Sequence, residues 1–325
     1  MRPLRVAIDT TPLVQTRAGT ARHVLGLLGE LQGRPGLELV GVASGGSGRL
    51  ATVRRDALWY PFRLGRISSR VDVVHCTTFR APVAPRSPLV VTVHDLAVVR
   101  HPDAFPGWHR RTGGLALRSG VRAADAVVAV SAFTRDELVA LLDVPVERIR
   151  IVPNGVDPVF SPDGPTVEGD YVLAVGTLEP RKNLPAAVEA ARLADVELRV
   201  AGAAGWGDVA TPGWVGEPTD AQLAALMRGA RCLVYPSLYE GFGLPILEAM
   251  ACGIPVVTSR GGATEEIAGG AAVLVDPHDP SSIAAGIEEA GRRRASLVEI
   301  GRARASMFSW RRSADLVEGL WRELV

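Results

Sequence analysis

Hydrophobic positions along the chain fall into short runs separated by amphipathic stretches. Residues 4–8 form an apolar run, and residues 20–31 follow with Val24, Leu27, Leu28 and Leu31 at helical spacing. Further apolar runs over 37–43, 71–75, 89–93, 126–130 and 149–152 predict strands. Ser131 stands where its hydroxyl can take a free backbone N–H at the start of a helix predicted over 135–142. The second half repeats the rhythm, with strands predicted over 171–175, 197–201, 232–235, 255–258 and 272–275. Helices fill in over 184–194, 220–228, 245–252 and 281–294, and a last one over 314–324 ends the chain. Short, nearly continuous Val/Ile/Leu strands between helices belong to parallel sheets covered on both faces. The expected fold is therefore α/β: two Rossmann-like, doubly wound parallel-sheet domains facing each other across a cleft. In such sheets ligands bind beyond the carboxyl ends of the strands, so the loops there are where chemistry is expected.

Composition agrees with two domains. The chain has 325 residues, of which 47% are hydrophobic and 22% charged, which excludes disorder and leaves enough chain for two cores. Its formal net charge of +1 hides an asymmetry. Residues 1–160 hold 21 Arg against 13 acids, whereas residues 161–325 hold 15 basic groups against 22 acids. Those balances, +8 and −7, suggest two domains meeting in the turn-rich stretch 153–165. Cys76, Cys232 and Cys252 stand far apart and make no disulfide framework, which fits a reducing cytoplasm. The first nine residues lack the apolar core of a signal peptide, and nowhere do 18 uncharged apolar residues run together. A soluble cytoplasmic protein is expected.

Two loops carry candidate chemistry. After the strand over 171–175 comes Gly176-Thr-Leu-Glu-Pro-Arg181-Lys182-Asn183, and a helix follows. Arg181 and Lys182, the latter the only lysine in the chain, precede a helix amino end, where the dipole and unpaired N–H groups favour an anion. They read as a phosphate clamp or as two solvated loop cations. After the strand over 232–235 comes Pro-Ser-Leu-Tyr-Glu240-Gly241-Phe242-Gly243-Leu244-Pro245, with Glu248 one turn into the next helix. Its glycines permit close backbone approach, and carboxylates accept hydrogen bonds well from vicinal hydroxyls. The alternative makes Glu240 a surface acid and Glu248 a partner for the helix dipole.

Glu240 and Glu248 have the spacing of the E-x7-E motif, and the chain resembles the retaining family-4 glycosyltransferases (glycosyl transferases group 1), which have the GT-B fold. The likeness runs through Pro153-Asn-Gly-Val-Asp157, Gly176-Thr-Leu-Glu-Pro-Arg181-Lys182-Asn183 and Ser237–Pro245, then Gly253-Ile-Pro-Val-Val257, Gly261-Gly262, Val275-Asp-Pro277 and Trp310. It implies an acceptor-side domain over 1–160, a nucleotide-sugar donor domain over 161–307, and a terminal segment 308–325 crossing back to the first. It also implies that Arg181 and Lys182 hold the donor diphosphate, Glu248 the ribose, and Glu240 with the backbone around Gly241, Phe242, Gly243 and Leu244 the sugar. Gly176 would let the chain pass close to the donor, and Val215 would lie near the nucleobase. No metal or other cofactor is implied, since Arg, Lys and helix ends handle the phosphate charge.

In the first half, His94 ends a predicted strand and matches the family's active-site histidine. Gly19 lies in the match to its glycine-rich loop, although Ala21 replaces a second glycine. Asp9 either points into the same region or caps a turn. His75-Cys76 lacks convergent partners and reads as strand-end packing. The stretches 49–70 and 100–122 mix Arg with Trp59, Tyr60, Phe62, Phe105 and Trp108. They read as a solvated basic face or as a patch meeting acceptor or an anionic membrane from the cytoplasmic side; nucleic acid is not expected. The implied function is retaining transfer of a sugar, GDP-mannose favoured over UDP-glucose, to an acceptor hydroxyl that is lipid-linked or part of a secondary metabolite. The alternatives are a hydrolase, epimerase or phosphorylase of the same fold, or a non-catalytic nucleotide-sugar binder. A nicotinamide oxidoreductase is disfavoured, because no clear G-x-G-x-x-G follows either first strand.

Overall fold

The computed structural model describes residues 2–16, 19–46, 49–105, 107–205 and 212–325, apart from the side chains of 49–51, 104, 108, 109 and 111. It divides the chain into two compact units, Met1–Gly155 with Trp310–Val325 and Val156–Ser309. The divisions fall beside, not at, the expected positions 160/161 and 307/308. Residues 156–160 pack with the second unit: Val156 N donates to Phe308 O at 3.2 Å, and Phe160 is buried.

The first unit contains a six-stranded sheet of β1 Leu4–Asp9, β2 Leu37–Val42, β3 Val73–Cys76, β4 Leu89–Val93, β5 Ala126–Ala129 and β6 Ile149–Ile151, in the order β2-β1-β3-β4-β5-β6. The second contains β7 Tyr171–Val175, β8 Glu197–Ala201, β9 Leu233–Tyr235, β10 Val256–Ser259 and β11 Val273–Val275, in the order β11-β10-β9-β7-β8. Every pairing is parallel. Central strands such as β4 and β7 are buried at every position, as their nearly continuous apolar sequence requires, while the edge strand β2 is only half-buried. Each sheet winds outward from its first strand and then reverses. The reversal falls between β1 and β3 in one sheet and between β7 and β9 in the other. At such a switch point the loops diverge to opposite faces and leave a crevice beyond the strand ends.

Ser131 caps its helix, its hydroxyl accepting from Thr134 N at 2.9 Å, although the helix runs Ala132–Leu142 and starts earlier than expected. The final helix, Trp310–Glu323, packs on Gly19–Leu31 of the first unit. Trp310 lies so close that a Cβ at Gly26 would come within 2.1 Å of its ring, and Trp321 is fully buried against the His75 ring. Two segments without an expected element are helical. Residues 49–67 form Arg49–Arg54, a wide π-helical turn Arg55–Arg63 containing Pro61, and Leu64–Ile67. Gly107–Ala123 is a helix of 17 residues.

Candidate active site

The loops that follow β7 and β9 meet at the switch point of the second sheet. The loop after β7 ends in a short turn, Pro180–Lys182, and Asn183 then takes a left-handed conformation (φ 55°) before helix Leu184–Leu193. Asn183 Nδ2 donates to Pro236 O at 3.1 Å and Pro277 O at 2.6 Å, and Leu238 N donates to Arg181 O at 2.8 Å. These bonds fix the first loop against the second. Beyond β9, Gly243 (φ 111°) turns the chain into helix Leu244–Ala251, whose amino end no side chain among the described residues caps. Pro245 has no N–H and Ile246 N donates to Gly243 O at 3.0 Å, so of the first three helix positions Leu244 is the one with an N–H to offer an anion.

Glu240 is the hub. Its Oε1 accepts from Lys182 Nζ at 2.5 Å and Tyr235 OH at 2.7 Å, and its Oε2 accepts from Arg181 Nη1 at 3.1 Å. Arg181 also reaches Tyr239 O at 3.1 Å and Glu179 Oε1 at 2.7 Å. Glu240 is only 9% exposed. Burial raises its pKa, but the charges of Lys182 and Arg181 and the bonds from Lys182 and Tyr235 outweigh burial and hold it at about 2. Burial and the neighbouring carboxylate push the Tyr235 phenol well above its ordinary range, so it stays a donor. Two cations and two carboxylates, Glu179 and Glu240, make this cluster formally neutral. Arg181 and Lys182 are thus held in place by carboxylates rather than solvated.

Gly176 (φ 152°) ends β7 against this cluster, and a Cβ there would lie 3.1 Å from the Lys182 side chain. Gly241, Phe242, Gly243 and Leu244 are buried in the second loop. Glu248 is buried one turn into its helix, at 2% exposure. Val215 is exposed on the loop after β8, where its N–H donates to Val200 O at 2.9 Å.

His94 and Gly19 belong to the first unit. His94 follows β4, and its Nε2 donates to Thr77 O at 2.9 Å, which leaves Nδ1 as the acceptor nitrogen. Burial lowers its pKa, so the ring is neutral at pH 7. His23 stands edge-on to it at 4.8 Å, with Nδ1 2.7 Å from Asn154 Oδ1. Gly19 is the exposed first residue of helix Gly19–Leu31; Arg17 and Ala18 of the same loop lie outside the described residues. Asp9 caps a turn, its Oδ1 accepting from Thr11 N at 2.9 Å, and its Oδ2 accepts from Tyr60 OH at 2.9 Å. His75 and Cys76 are buried in β3, with His75 Nε2 2.8 Å from Thr92 Oγ1.

Tyr235, Glu179 and Asn183 shape the second-unit cluster, yet sequence reasoning gave them no role. The signal was present in the motifs: Tyr235 ends a strand one loop before Glu240, and Glu179 and Asn183 flank the cations. What the sequence does not reveal is that a phenol and a second carboxylate share the same charges.

Comparison with known proteins places the chain. The model of glycosyl transferases group 1 matches residues 161–304, and that of glycosyltransferase family 4 matches residues 17–160. An O-antigen chain mannosyltransferase B of Escherichia coli is 33% identical over 253 residues, covering 68% of this chain and 66% of the relative. A D-inositol 3-phosphate glycosyltransferase of Paenarthrobacter aurescens (strain TC1) is 30% identical over 313 residues, covering 81% and 75%. The chain therefore spans about two thirds to three quarters of these relatives' lengths. Among solved structures, sucrose-phosphate synthase from Thermosynechococcus elongatus shares the fold at a TM-score of 0.75 and 18% identity, covering 100% of this chain and 99% of that one. Anabaena HepE in complex with UDP and glucose does so at 0.75 and 17%, covering 99% and 100%. The chain belongs to the family-4, group 1 glycosyltransferases, and its two parallel-sheet units are those of the GT-B fold.

Proposed function

We propose that the protein is a retaining glycosyltransferase that moves a sugar, mannose from GDP-mannose in preference to glucose from UDP-glucose, to an acceptor hydroxyl. The observation that carries this is the Glu240–Lys182–Arg181–Tyr235 cluster at the switch point of the second sheet, beside the amino end of helix Leu244–Ala251. In this reading the diphosphate binds the N–H groups around Gly241–Leu244 and draws Lys182 and Arg181 from their carboxylate partners as charge develops on the leaving group. Released in part, Glu240 accepts from sugar hydroxyls, Glu248 bonds the ribose, Val215 lies near the base, and Gly176 gives the donor room. Neutral His94 offers Nδ1 to a sugar hydroxyl. Departure and attack occur on the same face, with the leaving phosphate taking the acceptor's proton, so no covalent carboxylate intermediate and no metal is required. The mannosyltransferase named among the relatives supports the sugar, and the UDP-glucose complex of HepE supports a nucleotide-sugar donor.

The acceptor, lipid-linked or a secondary metabolite, is approached at the inner face of the membrane. Exposed Leu58, Phe62 and Leu115 supply apolar contact beside Arg54, Arg63, Arg118 and Arg122. No helix among the described residues is long and apolar enough to cross a membrane. The side chains of Arg49, Trp108, His109 and Arg111, which belong to the same basic and aromatic stretches, lie outside the described residues. Sedimentation with anionic vesicles, reversed by salt, tests this contact.

The donor reading is tested by calorimetric titration with GDP, UDP, dTDP and ADP, with NAD as control. Tight binding of GDP that is lost in Lys182→Ala supports it. Binding of NAD alone, or of no nucleoside diphosphate, overturns it.

A further inference from the structure

The first sheet has its own switch point, between β1 and β3, and the groups gathered there differ from those in the second unit. Asp9 ends β1, and its carbonyl accepts from Thr77 Oγ1 at 2.7 Å; Thr77 O in turn accepts from His94 Nε2 at 2.9 Å. The ends of β1, β3 and β4 are thereby tied into one floor that includes His94. Two guanidiniums stand by this floor. Arg55, on the π-helical turn, and Arg80, on the loop after β3, both place Nε on Asp56 Oδ1, at 3.2 and 3.1 Å. Arg55 also donates to the Gln15 amide when that group is turned oxygen-first.

Asp56 accepts from both arginines, while Asp9, close enough to feel the Arg80 charge, is bonded instead by Thr11 N and Tyr60 OH. The Arg80 side chain is 19% exposed, yet among the described residues only its Nε finds a partner. Its guanidinium carbon lies 5.2 Å from the centroid of the Phe79 ring, a contact that stiffens the fork. A largely covered guanidinium whose two terminal nitrogens are unused by protein is built to meet a planar, bidentate anion. The wide turn of Arg55–Arg63 contributes to the same place, because it delivers Arg55 and Tyr60 to the strand ends together. Such turns concentrate at functional sites.

We propose that Arg80, backed by Arg55, binds a phosphate group on the acceptor, with the attacking hydroxyl lying towards His94. The inference rests on the donor reading above, since it assigns the acceptor's place in the same transfer. It narrows the acceptor to a phosphate monoester or diester.

The test titrates full-length protein, saturated with GDP so that the Arg181–Lys182 loop is filled, with inorganic phosphate and with glycerol 3-phosphate. A parallel titration uses Lys182→Ala, in which the second-unit site is impaired. Expected is saturable binding that weakens by about tenfold or more in Arg80→Ala, the loss of a bidentate charged contact. Arg80→Lys weakens it less, and Arg66→Ala, an exposed arginine away from the floor, leaves it unchanged. Arg55→Gln gives a second reading, and circular dichroism excludes unfolding as the cause. A vesicle arm separates the sources of phosphate. Binding to phosphatidylglycerol but not phosphatidylcholine vesicles that falls in Arg80→Ala assigns a lipid headgroup. Unchanged vesicle binding with lost soluble phosphate assigns a free acceptor. Equal affinity in wild type and Arg80→Ala in every arm, or no saturable binding in any, overturns the proposal. Failure of the donor site would show separately, as loss of GDP binding itself.

Discussion

Glu240→Gln is the sharpest test of the electrostatics argued for the second unit. Glutamine mimics the protonated acid: it keeps the shape and can still accept from Tyr235, but it loses the charge that Lys182 and Arg181 face. From an ordinary 4.5 to about 2 is a preference for the carboxylate worth about 3 kcal/mol at neutral pH. The sign follows from linkage. The folded pKa lies below the unfolded one, so the contribution is fully present above pH 4.5 and is lost as pH falls towards 2. At pH 3 the unfolded carboxyl is already protonated, and about 1 kcal/mol should remain. The assay is urea unfolding of both proteins at pH 7 and pH 3, with amide exchange in β7 and β9 reporting the second unit directly. The variant should be less stable by about 3 kcal/mol at pH 7 and by much less at pH 3. No difference at pH 7, or a difference that does not shrink in acid, would refute the claim that Glu240 is held as a charge by its partners.

Four further outcomes are expected. Lys182→Ala should lower transfer by about a hundredfold or more with the fold intact, read as kcat/KM with the donor identified by titration. Gly176→Ala combines a φ of 152° with a Cβ 3.1 Å from Lys182, so it should cost about 1–3 kcal/mol and weaken GDP binding, measured by thermal unfolding and calorimetry. Gly26→Ala drives a Cβ to within 2.1 Å of the Trp310 ring; it should displace the final helix and lower stability by about 3 kcal/mol, with a shift in tryptophan emission as the check. In acid the first unit should weaken before the second. Burial lowers the pKa of both His23 and His75, His75 to about 3, while the unfolded rings take up protons below pH 6.5; at pH 5 the buried His75 ring costs about 2 kcal/mol and His23 adds to it in the same direction. Amide exchange in β3 that is as slow at pH 5 as at pH 7 would contradict this.

Strands with nearly continuous apolar sequence, such as 89–93 and 171–175, were legible because burial on both faces leaves little alternative to a parallel sheet. Helix Gly107–Ala123 was not, since Gly113, Gly114 and Gly120 argue against a helix on propensity alone. The structure shows why Gly120 is there: a Cβ would fall 1.9 Å from Phe79 O, so packing against the loop after β3 overrides propensity. Residues 55–63 hid for a related reason. Pro61 cannot donate and displaces the carbonyl behind it, which a wide turn accommodates but a helical period of 3.6 does not reveal. The site divides in the same way. Gly176, Lys182 and Glu240 are local to their loops and could be named from motif spacing. The Tyr235 phenol and the Glu179 carboxylate act through contacts that only the packed loops create.

The two sheets show how one topology supports different electrostatics. In each, the chain winds outward, reverses, and leaves a crevice beyond two neighbouring strand ends. At the second, two cations are matched by two buried carboxylates, so on the proposed reading an incoming anion gains the side-chain cations only as it displaces their partners. That arrangement favours a group whose negative charge grows during reaction over one that carries full charge from the outset. At the first, two arginines share Asp56 and the nearest further acid, Asp9, is occupied by Thr11 and Tyr60. A guanidinium whose terminal nitrogens take no bond among the described residues suits a permanent charge that is held and not released. On the functions proposed above, a leaving diphosphate belongs where carboxylates hold both cations, and a standing phosphate where the Arg80 fork has open ends.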